Sequence, residues 1–545
     1  MSFVAAMNSA PLTKEGVKGS VVYTEEGVGD LRTSLFQMIV RSLEESEIRR
    51  VIHQAFHSGR DKQYVMDFAV MAFQTRDIRG GKGERDVAYK MLLAIMYERH
   101  DLIEPLLRLI PEYGCWRDMW QLLKLVEKSS YEKLLAAVIN VTKWIFFEDL
   151  AKLDKGYNTD LSLLGKWLPR EGSTNDTIAK LLAGAFFPET TDENDRMKMY
   201  RKACVRLGRA ISVVEQKMCG GKWREIVPAN VPGRLMNKAR KAFLNEVRGH
   251  KNKDGPEIPL RFPDNGDRME CRQNFLNHLE QVLAGKASIN GANVVFPHEI
   301  VAKFLYTNGN RFSKADESLL QAQWDAIRNH TKQQGGLRGI VPMSDFSGSM
   351  NGIAMQVSLA LGILLSEINH PAFADYLLGF DSEPSWISFK GMTHLSQKIN
   401  YARKFAQGTS TNFEEACDLI LRRLVEHNVP REEAPRDLLV LTDMGFDQAC
   451  FSTSWKTHFQ MIQANFAAAG YDAPRIVVWN LRAEYKDYYA QAHEDGVVVL
   501  SGWSPAVLKA IQKDGIEVRT PYDGLRELLD DARYDLVRSA LDGLL

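Results

Sequence analysis

Apolar and polar positions alternate in two different rhythms along this chain. From about Gly29 to Leu305, apolar residues recur at helical spacing, beginning with Leu35, Met38, Ile39 and Leu43. Further helical stripes are predicted over 64–73, 85–97, 102–110, 116–126 and 131–146, then over 271–285 and from Pro297 onward. Short polar joints connect them, and few stretches alternate with period two. That texture predicts an all-α array of HEAT-like stacked helices, although no clean internal repeat stands out. The segment 248–266 interrupts it with charges, glycines and Pro256, Pro259 and Pro263, and reads as a loop or arm.

From about residue 335 the rhythm changes. Short apolar runs predict strands at 339–344, 376–380, 386–389, 438–441, 476–481 and 497–500. Helices are expected at 354–368, 395–405, 413–427, 454–468, 505–512 and 525–541. Alternating strands and helices argue for a doubly wound, Rossmann-like α/β sheet, which binds ligands at the carboxyl ends of its strands. The chain therefore divides into an extension over 1–28, a helical part over 29–334 and an α/β part over 335–545.

Composition narrows the function classes. With 45% hydrophobic and 25% charged residues in 545, the chain is neither disordered nor collagen-like. Lysine plus arginine equals aspartate plus glutamate, 69 against 69, which excludes a uniformly basic nucleic-acid coat. The balance hides an asymmetry. Residues 331–545 hold 20 basic and 27 acidic side chains, leaving 49 and 42 in residues 1–330. A basic front half suits an anionic partner. The six cysteines form no CxxC pair, which fits free thiols in a reducing compartment. No signal peptide or apolar run of membrane-spanning length is evident, so the expectation is an intracellular protein, cytoplasmic or nuclear, without a membrane partner.

The chemistry is concentrated where the first strand of the α/β part ends. Asp345-Phe346-Ser347-Gly348-Ser349 places three hard oxygens at alternate positions of one turn, a set that suits magnesium or another divalent cation. The stretch 408–412 can add the Thr411 hydroxyl, and Asp443 can add a second carboxylate after the strand at 438–441. The plainer reading of Ser347 and Ser349 is a turn and helix cap. Catalytic motifs fail: no acid stands two positions after Asp345, and neither serine has a glycine two before it. His298-Glu299 lacks the second zincin histidine, since Ala302 stands in its place. The run Gly80-Gly81-Lys82-Gly83-Glu84-Arg85 lacks the Walker spacing. The expectation is a protein that is not an enzyme.

The set Asp345, Ser347, Ser349, Thr411 and Asp443 resembles the metal-ion-dependent adhesion site of von Willebrand factor A domains. One departure is Met444, where many such domains place glycine. In the front half, the stretches 76–85 and 109–118 and Lys166-Trp167-Leu168-Pro169-Arg170-Glu171 resemble the TROVE module of the Ro ribonucleoprotein autoantigen. The stretches 79–85, 113–118 and 344–350, with Tyr23-Thr24, Gly29-Asp30-Leu31 and Pro297-His298-Glu299, resemble more closely a family of plants, viruses and other sources that joins a similar helical part to an A domain.

The resemblance implies a helical ring clasped by the A domain, binding single-stranded RNA ends and structured RNA. It also implies a divalent cation offered to a carboxylate of a protein ligand. The phosphate contacts expected on this reading are Arg79, Lys82, Arg85, Lys166, Arg170, Lys202 and Arg206, with Tyr113, Trp116 and Trp167 as stacking residues. Packing of Trp116 and Trp120 on a neighbouring helix is the plainer expectation for those two. The alternative function is a metal-dependent protein scaffold that binds no RNA.

Overall fold

Side-chain caps set the starts of many front-half helices. Thr24, Asp30, Asp61, Asp192 and Asn265 each accept an N–H from the third residue beyond, opening the helices Glu25–Val28, Leu31–Met38, Lys62–Arg76, Glu193–Ala210 and Gly266–Leu283. The computed structural model describes residues 12–15, 21–157, 160–248, 258–291, 294–305, 312–333, 337, 339–380, 383–405, 413–444, 458–482, 487–488, 490–512 and 518–545. Its front part is helical through to Lys314–Gln333, as the periodicity predicts. Lys62–Arg76 is buried on nearly every face and forms a central strut. The helix expected to stop at Ile110 continues through Pro111 to Tyr113. Proline so near a helix end removes only one hydrogen bond. In the arm, Glu246 bridges to Leu260, and 249–257 lie outside the described residues.

Among the described residues, the α/β part is built on six strands. These are β3 (Ile340–Asp345), β4 (Tyr376–Phe380), β5 (Ser385–Ser388), β6 (Asp437–Thr442), β7 (Arg475–Asn480) and β8 (Val497–Ser501). They lie in the order β5-β4-β3-β6-β7-β8, with all neighbours parallel except the β4–β5 edge pair. Leu439, Leu441, Val477, Trp479, Val498 and Leu500 face one core, while Leu438, Val440, Ile476, Val478, Val497 and Val499 face the other. Burial on both faces is why these strands read as continuous apolar runs. The helix predicted at 525–541 is two helices, Pro521–Leu529 and Asp535–Leu541. Between them Asp531 accepts the Arg533 N–H and starts a short 3-10 turn. The helix expected from residue 454 is described over His458–Ala468.

The two parts share one core. The same hydrophobic cluster runs from Tyr23 and Phe36 through the front helices to Trp479, Leu500 and Leu541. Asn480 at the end of β7 donates to Gln37 O at 2.8 Å. Arg526 and Arg533 pair with Asp67 and Asp77 of the strut. From the other end of the helical array, Lys398 and the Trp324 indole both bond Glu367, across helices Leu395–Ala402, Lys314–Gln333 and Ile353–Ile368. The α/β part thus touches both ends of the helical array. The extension is attached as well. Its strands β1 (Thr13–Glu15) and β2 (Val21–Tyr23) pair antiparallel, and the Tyr23 N–H donates to Tyr488 O at 2.6 Å. Among the described residues, no helix is long and apolar enough to cross a membrane.

Candidate metal centre

The sheet reverses its strand order between β3 and β6: β4 and β5 extend one way, β7 and β8 the other. In open α/β sheets, ligands bind beyond the carboxyl ends of the strands at such a reversal. The β3–β6 register pairs Ser344 with Leu441, which brings Asp345 alongside Thr442 and Asp443. Helix Ile353–Ile368 closes one face so tightly that a Cβ on Gly362 would lie 2.6 Å from Ser344 Oγ.

Asp345, Ser347 and Asp443 are fully buried, whereas Gly348 is exposed and Ser349 half-buried. Asp345 Oδ1 accepts the Ser347 N–H at 2.9 Å, which folds the turn back on itself. Asp345 Oδ2 accepts the Thr442 hydroxyl at 2.8 Å. The Ser347 and Ser349 hydroxyl oxygens are 3.0 Å apart. Burial, then the nearby charge of Asp443, raises the Asp345 pKa to about 7. Two buried carboxylates in repulsion, beside two converging hydroxyls, form a donor set of hard oxygens. Such a set fits magnesium, manganese or calcium and lacks the nitrogen and sulfur that softer metals select. Thr411 lies outside the described residues. The sequence reading missed Thr442 and Arg482, which donates from Nη1 to Ser349 O. No motif marks Thr442; only the strand register places it. Met444 takes the left-handed conformation at φ 68°, the geometry a glycine would adopt freely.

The expected RNA contacts fare unevenly. Lys82 must be withdrawn: it is fully buried, with Nζ bonded to Phe36 O at 3.2 Å and to Ser501 Oγ. Its stem lies on Gly502, and it bridges the two parts of the molecule, where no phosphate can reach. The glycines around it serve that turn. A Cβ on Gly81 would lie 1.9 Å from Gln74 O, and Gly83 has φ 68°. Tyr113 and Trp116 are also buried and unavailable for stacking. Tyr113 packs on Phe73 and Tyr534 instead. Asp118 of the same motif is the buried acceptor of Arg76 Nε at 2.7 Å. Trp120 is buried in the helical core as expected. His298 is buried against Phe296 and Trp503.

The other basic candidates lie nearer the surface. Arg79, Arg85, Lys202 and Arg206 are exposed; Lys166 and Arg170 are half-buried. Ion pairs hold Arg85 to Asp86, Lys166 to Glu215 and Arg206 to Asp154. Arg170 donates to Gly165 O at 2.9 Å. Arg79 borders a cleft of about 660 Å3 that also involves Arg108, Trp116, Trp144 and Trp167. Arg108 lies over the Trp144 ring at 5.2 Å. Trp144 is 56% exposed, an unusual position for so large an apolar ring. It was missed because a tryptophan at helical spacing ordinarily reads as core.

Residues 340–528, the α/β part, match a family described as a domain of unknown function, DUF7788. The chain is also 27% identical over 514 residues to a protein of Acanthamoeba polyphaga mimivirus described as uncharacterized protein L728. That similarity covers 90% of this chain and 84% of the viral protein. No solved structure matches.

Proposed function

We propose that this is a divalent-cation-dependent binding protein rather than an enzyme, with its α/β part acting in the manner of a von Willebrand A domain. Asp345, Ser347, Ser349 and Asp443 would hold magnesium, and Thr411 is the remaining expected ligand. The cation supplies a Lewis-acidic point to which a carboxylate of a protein partner can bind. The observation that carries this reading is the approach of two buried carboxylates, Asp345 and Asp443, from adjacent strands where the sheet order reverses. Repulsion of this kind is relieved by a cation. The exposed Gly348 and half-buried Ser349 leave one side of the set open. The test is magnesium or manganese binding by calorimetry in the intact protein and in Asp345→Ala. Unchanged binding in the variant would discard the assignment.

A second reading, RNA binding by a TROVE-like, HEAT-like helical part, is favoured by the cleft between Arg79, Arg108, Trp144 and Trp167. Aromatic rings beside guanidinium groups suit a stacked base and its phosphate. The two readings separate by solution conditions. RNA held through phosphates is released by salt, whereas a carboxylate held through the cation is released by chelator. An absence of RNA binding at low salt, with the wild type and Trp144→Ala alike, would remove the second reading.

A further inference from the structure

A second cluster of metal-ligating side chains lies on the helical part, outside the oxygen-rich set. The helices Glu45–Phe56 and Arg85–Glu98 pack together and end at the same place. His53 stands in the last turn of the first helix, and His57 follows one turn later on the same face. Glu98 is the last residue of the second helix. His53 Nδ1 lies 3.0 Å from Glu98 Oε1, and His57 Nε2 lies 3.0 Å from Glu98 Oε2. One ligand atom from each of the three residues falls within 4.8 Å of the other two. The imidazole rings are 4.3 Å apart and tilted by 50°, so neither blocks the other's approach to a common point.

The backbone favours a cation at the same spot. Each helix ends with carbonyls left over from its last turn and with the negative end of its dipole. Here two such ends meet around one carboxylate. Zinc is bound at about 2.0–2.2 Å by imidazole nitrogen and carboxylate oxygen, and open sites use three protein ligands plus water. Both histidines are exposed, so modest rotation can draw the ligand atoms together and leave the fourth position to solvent. Two imidazoles select zinc, copper or nickel over magnesium.

We propose that His53, His57 and Glu98 form a transition-metal site of the zinc class on the helical part. It is independent of the oxygen-ligand centre at Asp345. The plain alternative is a pair of surface hydrogen bonds from two histidines to one glutamate, and the experiment distinguishes them.

The intact chain is stripped with chelator and held in millimolar magnesium, then titrated with zinc against a chromophoric competitor. One equivalent of zinc is expected in the wild type and in Asp345→Ala. Weakening on the order of tenfold or more is expected in His53→Ala and in Glu98→Gln, with loss in the double histidine variant. Both histidines are exposed and Glu98→Gln keeps the size of a partly buried side chain, so the metal-free variants should melt with the wild type, and melting curves verify this. Cobalt added to the wild type should give the ligand-field spectrum of a nitrogen-ligated site, a readout that needs no variant. The proposal is overturned if zinc fails to compete, if the double variant binds as the wild type does, or if binding is lost instead when the exposed free thiol of Cys219 is removed in Cys219→Ser.

Discussion

The hydroxyl of Thr442 donates to Asp345 Oδ2 at 2.8 Å, across the two strands where the sheet reverses. Thr442 Oγ1 in turn accepts the Met444 N–H at 3.2 Å. One side chain therefore fixes the Asp345 carboxylate and the turn that carries Asp443. Asp345 Oδ1 is held in turn by the Ser347 backbone. Both carboxylate oxygens have protein donors, so the group is oriented before any ligand arrives.

Thr442→Val tests that orientation. Valine fills the same volume but strands a buried carboxylate oxygen, which should cost about 1–3 kcal/mol of stability. Magnesium affinity should fall as well, because Asp345 becomes free to turn. Urea unfolding and calorimetry measure the two effects. A variant as stable as the wild type, with the same magnesium affinity, would show that the hydroxyl positions nothing.

Asp443→Asn separates repulsion from ligation. Removing one of two buried like charges should leave the metal-free protein as stable as the wild type or more so. Magnesium at a hundred times its dissociation constant should stabilise the wild type by about 2.7 kcal/mol and the variant by much less. Thermal melts with and without magnesium decide the matter. An equal magnesium-induced rise in both proteins would exclude Asp443 as a ligand.

Much of this arrangement was legible in the sequence for a physical reason. Strands buried on both faces are short, apolar and bounded by turns, so β3, β4, β6, β7 and β8 stood out, and Asp345 and Asp443 fell at strand ends. Lys82 was misread because glycines and basic residues have two uses. Gly81 and Gly83 permit a tight turn, and Lys82 reaches through it to Phe36 O and Ser501. Nothing local distinguishes such a lysine from one that meets a phosphate, since the difference lies in Ser501, 419 residues away. The shared core was hidden likewise: helix periodicity shows which face is buried, not that its cover is a distant sheet.

His298 should give the protein an acid-sensitive step. Burial, reinforced by the charges of Arg41 and Arg234, lowers its pKa from 6.5 to about 3. The folded protein thus refuses a proton that the unfolded chain accepts. Stability is intact above pH 6.5 and falls as the pH drops from there towards 3. At full effect one such proton contributes about 1.4 kcal/mol per pH unit. In His298→Phe the stability-versus-pH curve should be flatter by that slope through pH 4–6, measured by urea unfolding at each pH. Parallel curves for the two proteins would mean that His298 titrates normally.

Arg533 and Asp77 make the joint between the two parts a test of their coupling. Asp77 is fully buried at the end of the strut helix, and Arg533 Nη2 donates to its Oδ1 at 3.1 Å while Nε donates to Oδ2. Arg79 N–H and the Tyr534 hydroxyl also donate to this carboxylate, at 2.9 and 3.4 Å. Arg533→Met removes the charge that balances Asp77, and breaking a buried pair costs about 3–5 kcal/mol. The arginine is partly open to water and two other donors remain, so the expected loss lies at about 2–3 kcal/mol. Adding Asp77→Asn should restore part of it, because the stranded charge is gone, and the double-mutant cycle isolates the pair. Unfolding by urea, followed at tryptophan and by circular dichroism, also reports whether the two parts still melt together. Because they share one core, a single transition should persist in the wild type and shift to lower urea in Arg533→Met. A loss below about 0.5 kcal/mol, the size of an ordinary surface substitution, would show that this ion pair does not hold the joint.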